Sequence, residues 1–321
     1  MSIFRQLYNN NLVKKIGVVL RIIIPIAIFY YLFSIIKFDE LKFSFLNSDK
    51  YYLTFALLFG FLSFTLQYIK WSNITGGLLG KYKISNIVKS LFAGYAYGLI
   101  TPIRAGEIPG RKFGLTGSDI TSVSMAVALD KSYNITAVLS IGSILFSIYV
   151  TFVTEYPLHV TIIIPLMVIS ILIGFYTLLK SDKLGSYPVL RNIRKIEYLN
   201  KIKLAFNRSR RMENTFHFRQ YLLSVGIFLL YTIQFLFYVY AFESQGNLLI
   251  IYTGVGAIYY VKIFAGFLSI ADLGIRESSA VYLLGMIGVG SAAALSASLL
   301  IFSTNILLPS LIGALIILRK S

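Results

Sequence analysis

Residues 84–115 read ISNIVKSLFAGYAYGLITPIRAGEIPGRKFGL, and residues 248–288 read LLIIYTGVGAIYYVKIFAGFLSIADLGIRESSAVYLLGMIG. Both are apolar enough to enter a bilayer, and both are broken. Gly94, Gly98, Pro102, Gly106, Pro109 and Gly110 interrupt the first; Gly254, Gly256, Gly266 and Gly274 interrupt the second. Pro102 has no amide hydrogen to donate and disfavours helix at Thr101. Gly106 permits dihedrals and backbone approaches closed to other residues. Each break also gathers Arg, Gly and Glu within a few positions: Arg104, Gly106 and Glu107 in one, Gly274, Arg276 and Glu277 in the other. Non-helical backbone at membrane depth needs partners, and so do ionised side chains there. Each stretch is therefore read as a helical hairpin that leaves the membrane on the side it came from.

The flanking charges require this reading. Residues 16–36 form a first span, too long for a signal-peptide core. Arg5, Lys14 and Lys15 precede it and place the N-terminus in the cytoplasm. Residues 51–69 return inside to Lys70, Lys81 and Lys83, residues 120–153 cross outward, and the loop 154–159 has no Lys or Arg. Residues 160–179 lead into a basic loop, 180–219, containing Lys195, Lys201, Arg208 and Arg210 among others. Residues 221–242 cross outward again, and the last helix, 291–318, ends at Arg319 and Lys320. If either broken stretch were one full crossing, a later basic loop would fall outside, against the positive-inside rule. The expected fold is an all-α polytopic membrane protein with about six full spans and two re-entrant hairpins. It is an inverted-topology repeat, with repeat 1 at about residues 1–153 and repeat 2 at about 158–321, in one transmembrane domain. Such repeats are typical of transporters with a site between the halves. The alternative is eight or more plain spans with kinks.

Composition agrees. Hydrophobic residues make up 57% of the 321 and charged residues 13%, about half the charged share of a soluble domain. Mean hydropathy is +0.75. The net charge of +17 lies between apolar runs, so it marks topology and anionic-lipid contact rather than nucleic acid. The absence of cysteine excludes disulfides and thiolate chemistry. Two separated histidines, His159 and His217, argue against a metal site, and no cofactor is expected.

The candidate site is the polar set at the two tips: Thr101, Arg104, Glu107, Asp272, Arg276 and Glu277, with Asp130 and Lys131 from the helix that follows the first hairpin. The planar fork of arginine matches phosphate oxygens, and a lipid phosphate is the anion most available at this depth. Thr101, Asp272 and the tip amides could complete an anion nest. The glutamates are expected to pair across the tips, Glu107 with Arg276 and Glu277 with Arg104, in which case the charges could equally be ties between broken helices. Adjacent residues on a helix do not face each other, so Asp130 and Lys131 each need another partner; Arg104 or Arg276 is the candidate for Asp130. Tyr95, Tyr97, Tyr259 and Tyr260 read as interface anchors, and Gly285 with Gly288 as a close-packing pair.

At these tips the sequence resembles the flippase-like transmembrane domain of the lysylphosphatidylglycerol synthases, the multiple peptide resistance factor proteins, and related stand-alone membrane proteins. The residues that carry the likeness are Thr101-Pro102 with Arg104, Gly106 and Glu107, the pair Asp130-Lys131, and Leu273-Gly274-Ile275-Arg276-Glu277. The resemblance implies a lipid flippase fold without covalent catalysis. The chain departs from it in a lysine at 131 where arginine is usual, and in Phe302 and Asn305 where arginine is expected. Arg111, set apart from Glu107 by Pro109-Gly110, is left outside the candidate site. No aminoacyl-transfer domain is expected after Ser321, so the lysyl lipid is not carried over as substrate.

The expected function is transport of an anionic or modified phospholipid, or a polyprenyl lipid or glycolipid, between leaflets of the cell membrane, with both termini cytoplasmic. The expected partners are membrane lipids with phosphate headgroups. No phosphate-binding Gly-x-x-x-x-Gly-Lys-Ser/Thr run is present. Two competitors remain: a non-transporting partner of a lipid-modifying enzyme, and an intramembrane transferase. The second lacks a nucleophile, base and orienting group in the sequence, and the chain is not expected to be an enzyme.

Overall fold

The computed structural model describes residues 30, 38–101, 104–180, 212–243, 245–265 and 274–319. The first expected span, most of the basic loop and Asp272 lie outside these residues. Among the described residues every regular element is helical. In chain order these are α1 (Phe38–Leu46), α2 (Lys50–Leu78), α3 (Ile84–Leu99), α4 (Glu107–Lys112), α5 (Ile120–Thr154), α6 (Leu158–Thr161) and α7 (Ile163–Lys180). After the basic loop come α8 (Asn214–Phe242), α9 (Leu248–Ala265), α10 (Ile275–Gly285) and α11 (Ser291–Phe302). A π-helical turn, Ser303–Leu307, joins α11 to α12 (Leu308–Leu318).

Four helices among the described residues are long and apolar enough to cross a membrane: α2, α5, α8 and the continuous rod Ser291–Leu318. Their outer faces carry exposed Leu57, Phe61 and Leu62 on α2 and Leu311 and Leu315 on α12, and α7 exposes Leu166, Met167 and Ile171. A surface this apolar suits hydrocarbon, not water. Carboxylates start two of the spans. Asp49 accepts from the Tyr51 amide at 2.8 Å, and Asp119 accepts from the Ser122 amide at 3.0 Å, filling donors that a helix start leaves open. The Ser122 hydrogen bonds hold the Asp119 carboxyl below its usual range.

The two broken stretches fold back on themselves. A Cβ at Gly106 would collide with the Tyr97 carbonyl, at Gly110 with Ala93 and at Gly114 with Asn86. The contacted residue falls as the glycine number rises, so this segment runs antiparallel to α3 with its backbone in direct contact. At the base, Tyr82 Oη and Ser118 Oγ are hydrogen-bonded, so the stretch finishes at the end where it began. The second stretch follows the same plan. α10 packs on α9, with Leu284 and Ile287 over Gly254, and Glu243 Oε2 accepts from the Gly290 amide at 2.6 Å across the base. Gly274 opens α10 at φ +86°, in the left-handed region that glycine enters without steric cost.

The halves interlock reciprocally. α2 packs along α8, α3 against α12, and α9 against α5. Gly313 of α12 lies so close to α3 that a Cβ would strike the Phe92 carbonyl. Each long hairpin arm thus packs on the last long helix of the opposite half.

Two expectations need correction. α2 does not stop near residue 69; it runs to Leu78, which draws Lys70 into the protein instead of leaving it at the surface. Gly285 and Gly288 do not form a packing pair, because open space surrounds both, and Gly288 turns the chain after α10 at φ +87°.

Gly110→Val should lower the stability of the purified protein by about 1–3 kcal/mol or more, because the added atoms meet backbone that cannot swing aside. Gly285→Ala should cost nothing. Thermal unfolding in detergent compares the two, and equal midpoints would show that the glycine stripe does not set the hairpin.

Candidate functional site

The first hairpin tip, α2 and α5 meet in a network of six ionised side chains. Glu107 lies in the first turn of α4 and Arg111 one turn later, so they share a face. Arg111 Nη2 donates to Glu107 Oε1 at 2.7 Å and to Asp130 Oδ2 at 3.1 Å. The other oxygen of Asp130 takes Lys70 Nζ at 2.9 Å. Lys131, one step along α5, points to a different partner, Glu107 Oε2 at 2.7 Å. Arg104 Nε lies 3.7 Å from that oxygen. Lys70, Glu107, Arg111 and Asp130 are all at most 4% exposed; the side chains of Arg104 and Lys131 keep 20% and 39% of their surface open.

Neutral groups complete the network. Lys70 also donates to Ser224 Oγ of α8 at 3.0 Å, to the Asp130 carbonyl at 3.2 Å and to Asn134. The Arg111 guanidinium stacks 4.2 Å from the Trp71 ring centroid, and Trp71 donates to Ser90, which itself donates to the Arg111 carbonyl at 2.6 Å. A buried charge with one partner missing costs several kcal/mol. Here each ammonium, guanidinium and carboxylate has at least one opposite charge, and these pairs tie α2, α4 and α5 together.

The tip backbone is held by Thr101, whose hydroxyl accepts from the Gly106 amide at 2.8 Å and donates to the Tyr97 carbonyl at 2.9 Å. Arg104 adopts φ +56°, a left-handed conformation costing a residue other than glycine about 1–3 kcal/mol. Its guanidinium sits 5.3 Å from the Tyr95 ring centroid.

Among the described residues the second tip holds a smaller cluster. Glu277 caps α10 by accepting from the Gly274 amide at 2.8 Å, and its other oxygen pairs with Arg276. Arg276 Nε donates to Ser298 Oγ of α11 at 3.0 Å. Arg276 and Glu277 are 2% and 0% exposed.

The expected cross-tip pairs do not form: Glu107 is held by Arg104, Arg111 and Lys131, and Glu277 by Arg276 beside it. Asp130 meets Lys70 and Arg111 rather than Arg104 or Arg276. Asp272 lies outside the described residues. Tyr95 is buried and hydrogen-bonded to Gln67, not an interface anchor. Sequence reasoning misses Lys70 and Arg111. For Arg111 a signal exists, since it falls four residues after Glu107 on one helical face. Among the described residues no three His, Asp or Glu side chains cluster as metal ligands would.

Compared with known protein families, residues 18–313 match the lysylphosphatidylglycerol synthase transmembrane region. No curated protein matches the chain significantly.

Lys70→Met should destabilise the protein by about 3–5 kcal/mol, because it leaves Asp130 with one fewer buried counter-charge. Exposed Lys81→Met should stay within about 0.5 kcal/mol of wild type. Denaturation of the two variants side by side checks this, and equal stability would remove Lys70 from the network.

Proposed function

The chain belongs to the lysylphosphatidylglycerol synthase transmembrane-region family, and from that premise we propose that it is a lipid flippase-like transporter. A phosphate-bearing headgroup passes the charged tips while the acyl chains stay in the bilayer. The observation that carries this reading is the make-up of the first network. Among the described residues, Lys70, Arg104, Arg111 and Lys131 gather around Glu107 and Asp130, an excess of positive charge at a place where charge is poorly screened. Lys70 and Arg111 are sealed in. Arg104 and Lys131 are the partly open members, so they are the groups a phosphate reaches. The network replaces headgroup hydration with fixed donors.

Arg276 is enclosed in this state. A handover of phosphate from Arg104 to Arg276 therefore requires the second tip to open.

The same proposal includes the topology. We read two inverted repeats, with α3–α4 and α9–α10 as re-entrant hairpins and both termini in the cytoplasm of a cell-membrane protein. Two structural observations support it: both broken stretches are tied at their bases, and the long arms pack reciprocally; in the sequence the loop 154–159 has no Lys or Arg, whereas Lys81, Lys83 and the loop 180–219 are basic.

Two measurements test the proposal. In the cysteine-free chain, Lys83→Cys and Lys112→Cys should label from one side with an impermeant thiol reagent, and Thr154→Cys from the other. Labelling of Lys83→Cys and Lys112→Cys from opposite sides would end the hairpin reading. In vesicles, Arg104→Lys keeps the charge but loses the fork; at about 1.5–3 kcal/mol for a charged hydrogen bond, translocation of a labelled phospholipid should slow about ten- to hundredfold. Wild-type rates from folded Arg104→Ala and Lys131→Ala proteins would show that the network is structural only.

A further inference from the structure

Away from the charged network, a lateral groove opens between α2, α8 and the rod formed by α11, the π-helical turn and α12. Its volume is about 230 Å³. The mouth is apolar and exposed: Leu57 and Phe61 of α2 face Leu308 and Ile312 of α12. The floor is polar, made by the buried Gln234 and the half-buried Gln67, Tyr231, Thr304 and Asn305. None of the lining residues is Lys, Arg, Asp, Glu or His.

The floor is a ladder of carboxamides and hydroxyls. Gln234 Nε2 donates to Thr304 Oγ1 and to Asn305 Oδ1, each at 3.2 Å, and Asn305 Nδ2 donates back to Gln234 Oε1 at 2.8 Å. Deeper in, Gln67 donates to Tyr231 and accepts from Tyr95. A carboxamide has two N–H donors and two acceptor sites; Gln234 spends both N–H groups inside the ladder, whereas Asn305 and Gln67 each keep one N–H and one acceptor site beyond these bonds. The backbone opens at the same place. Thr304 and Asn305 sit in the π-helical turn, and Pro309, four residues on, has no amide hydrogen to give the Asn305 carbonyl. π-turns of this kind recur at functional sites.

A cation or a phosphate would find no opposite charge here, whereas an uncharged group rich in hydroxyls would find donors and acceptors in alternation. Phe64 and Phe92, stacked on each other with ring centroids 5.0 Å apart, line the groove as well. An apolar mouth on the lipid side and a neutral polar floor together describe an amphiphile whose head is a sugar. We propose that this groove is a binding site for a neutral glycolipid, with acyl chains at the mouth and the sugar on the half-buried Asn305 and Gln67, above the buried Gln234. The site rests on the lipid-handling reading given above and is separate from the phosphate contacts of Arg104 and Lys131. Tyr95 joins the two regions, since it hydrogen-bonds Gln67 and lies beneath Arg104.

The test is binding to the detergent-solubilised full chain, read by native mass spectrometry. The probes are a monoglucosyl diacylglycerol, the diacylglycerol with the same chains, and phosphatidylglycerol. The glucosyl lipid should bind at least about tenfold more tightly than the diacylglycerol, the equivalent of about one or two hydrogen bonds. Asn305→Leu should abolish that preference and leave phosphatidylglycerol binding unchanged. Leu308→Trp fills the mouth from an exposed position without touching the ladder. It should weaken glucosyl-lipid binding about tenfold with an unaltered unfolding midpoint, so the proposal stays testable if Asn305→Leu fails to fold. Equal binding of glucosyl lipid and diacylglycerol, or Leu308→Trp within twofold of wild type, overturns the site. The assay needs no transport: glucosyl-lipid preference in a protein that translocates nothing upholds the site and sinks the flippase reading. Translocation without that preference sinks the site alone.

Discussion

Asp130 is the residue on which the first hairpin tip depends. One carboxylate oxygen takes Lys70 from α2, and the other takes Arg111 from α4. Through Arg111 and Lys131 the same network reaches Glu107 and the first hairpin tip. A short helix such as α4 has too few residues to be stable alone, and it sits at the end of a glycine-lined arm with little side-chain volume to bury. Its position is fixed by backbone contact with α3 on one side and by ion pairs on the other. Taking these charges out of water costs several kcal/mol for each ion, and mutual pairing offsets that cost only with all partners present. The network therefore specifies one arrangement of three helices rather than simply adding stability.

Much of the fold is legible because membrane insertion restricts the choices. The apolar runs, the basic loops and the two interrupted stretches are compositional signals, and they identify α2, α5, α8 and the Ser291–Leu318 rod correctly in kind and order. The site is legible in part. The tips, Asp130 and Lys131 are visible as charges in apolar surroundings. Their partners are not, because pairing depends on rotation about helix axes, which sequence spacing does not give across different elements. Lys70 shows the limit. A lysine after a long apolar run reads as the end of a span, and only the continuation of α2 to Leu78 reveals it as interior. Gly285 and Gly288 show the converse, a packing spacing with nothing packed against it.

The two hairpins share a plan but differ in their means. The first is held by backbone contact along three glycines and by six ionised groups. Among the described residues the second uses a capping glutamate, an arginine and a serine from α11. The first tip retains partly open cations, whereas the described part of the second is closed. The lateral groove lies between α2, α8 and α12, where helices of both halves meet, so movement of one half against the other would change its width.

The difference in charge between the tips has an electrical consequence. Among the described residues the first network holds two more cations than carboxylates, so a rearrangement that shifts these groups along the membrane normal carries net charge through the transmembrane field. Such a shift involves work of about 2.3 kcal/mol per elementary charge for each 100 mV crossed. Arg276 and Glu277 travel together as a neutral couple and contribute almost none. A voltage across the membrane would therefore bias the position of one hairpin and leave the other couple nearly indifferent.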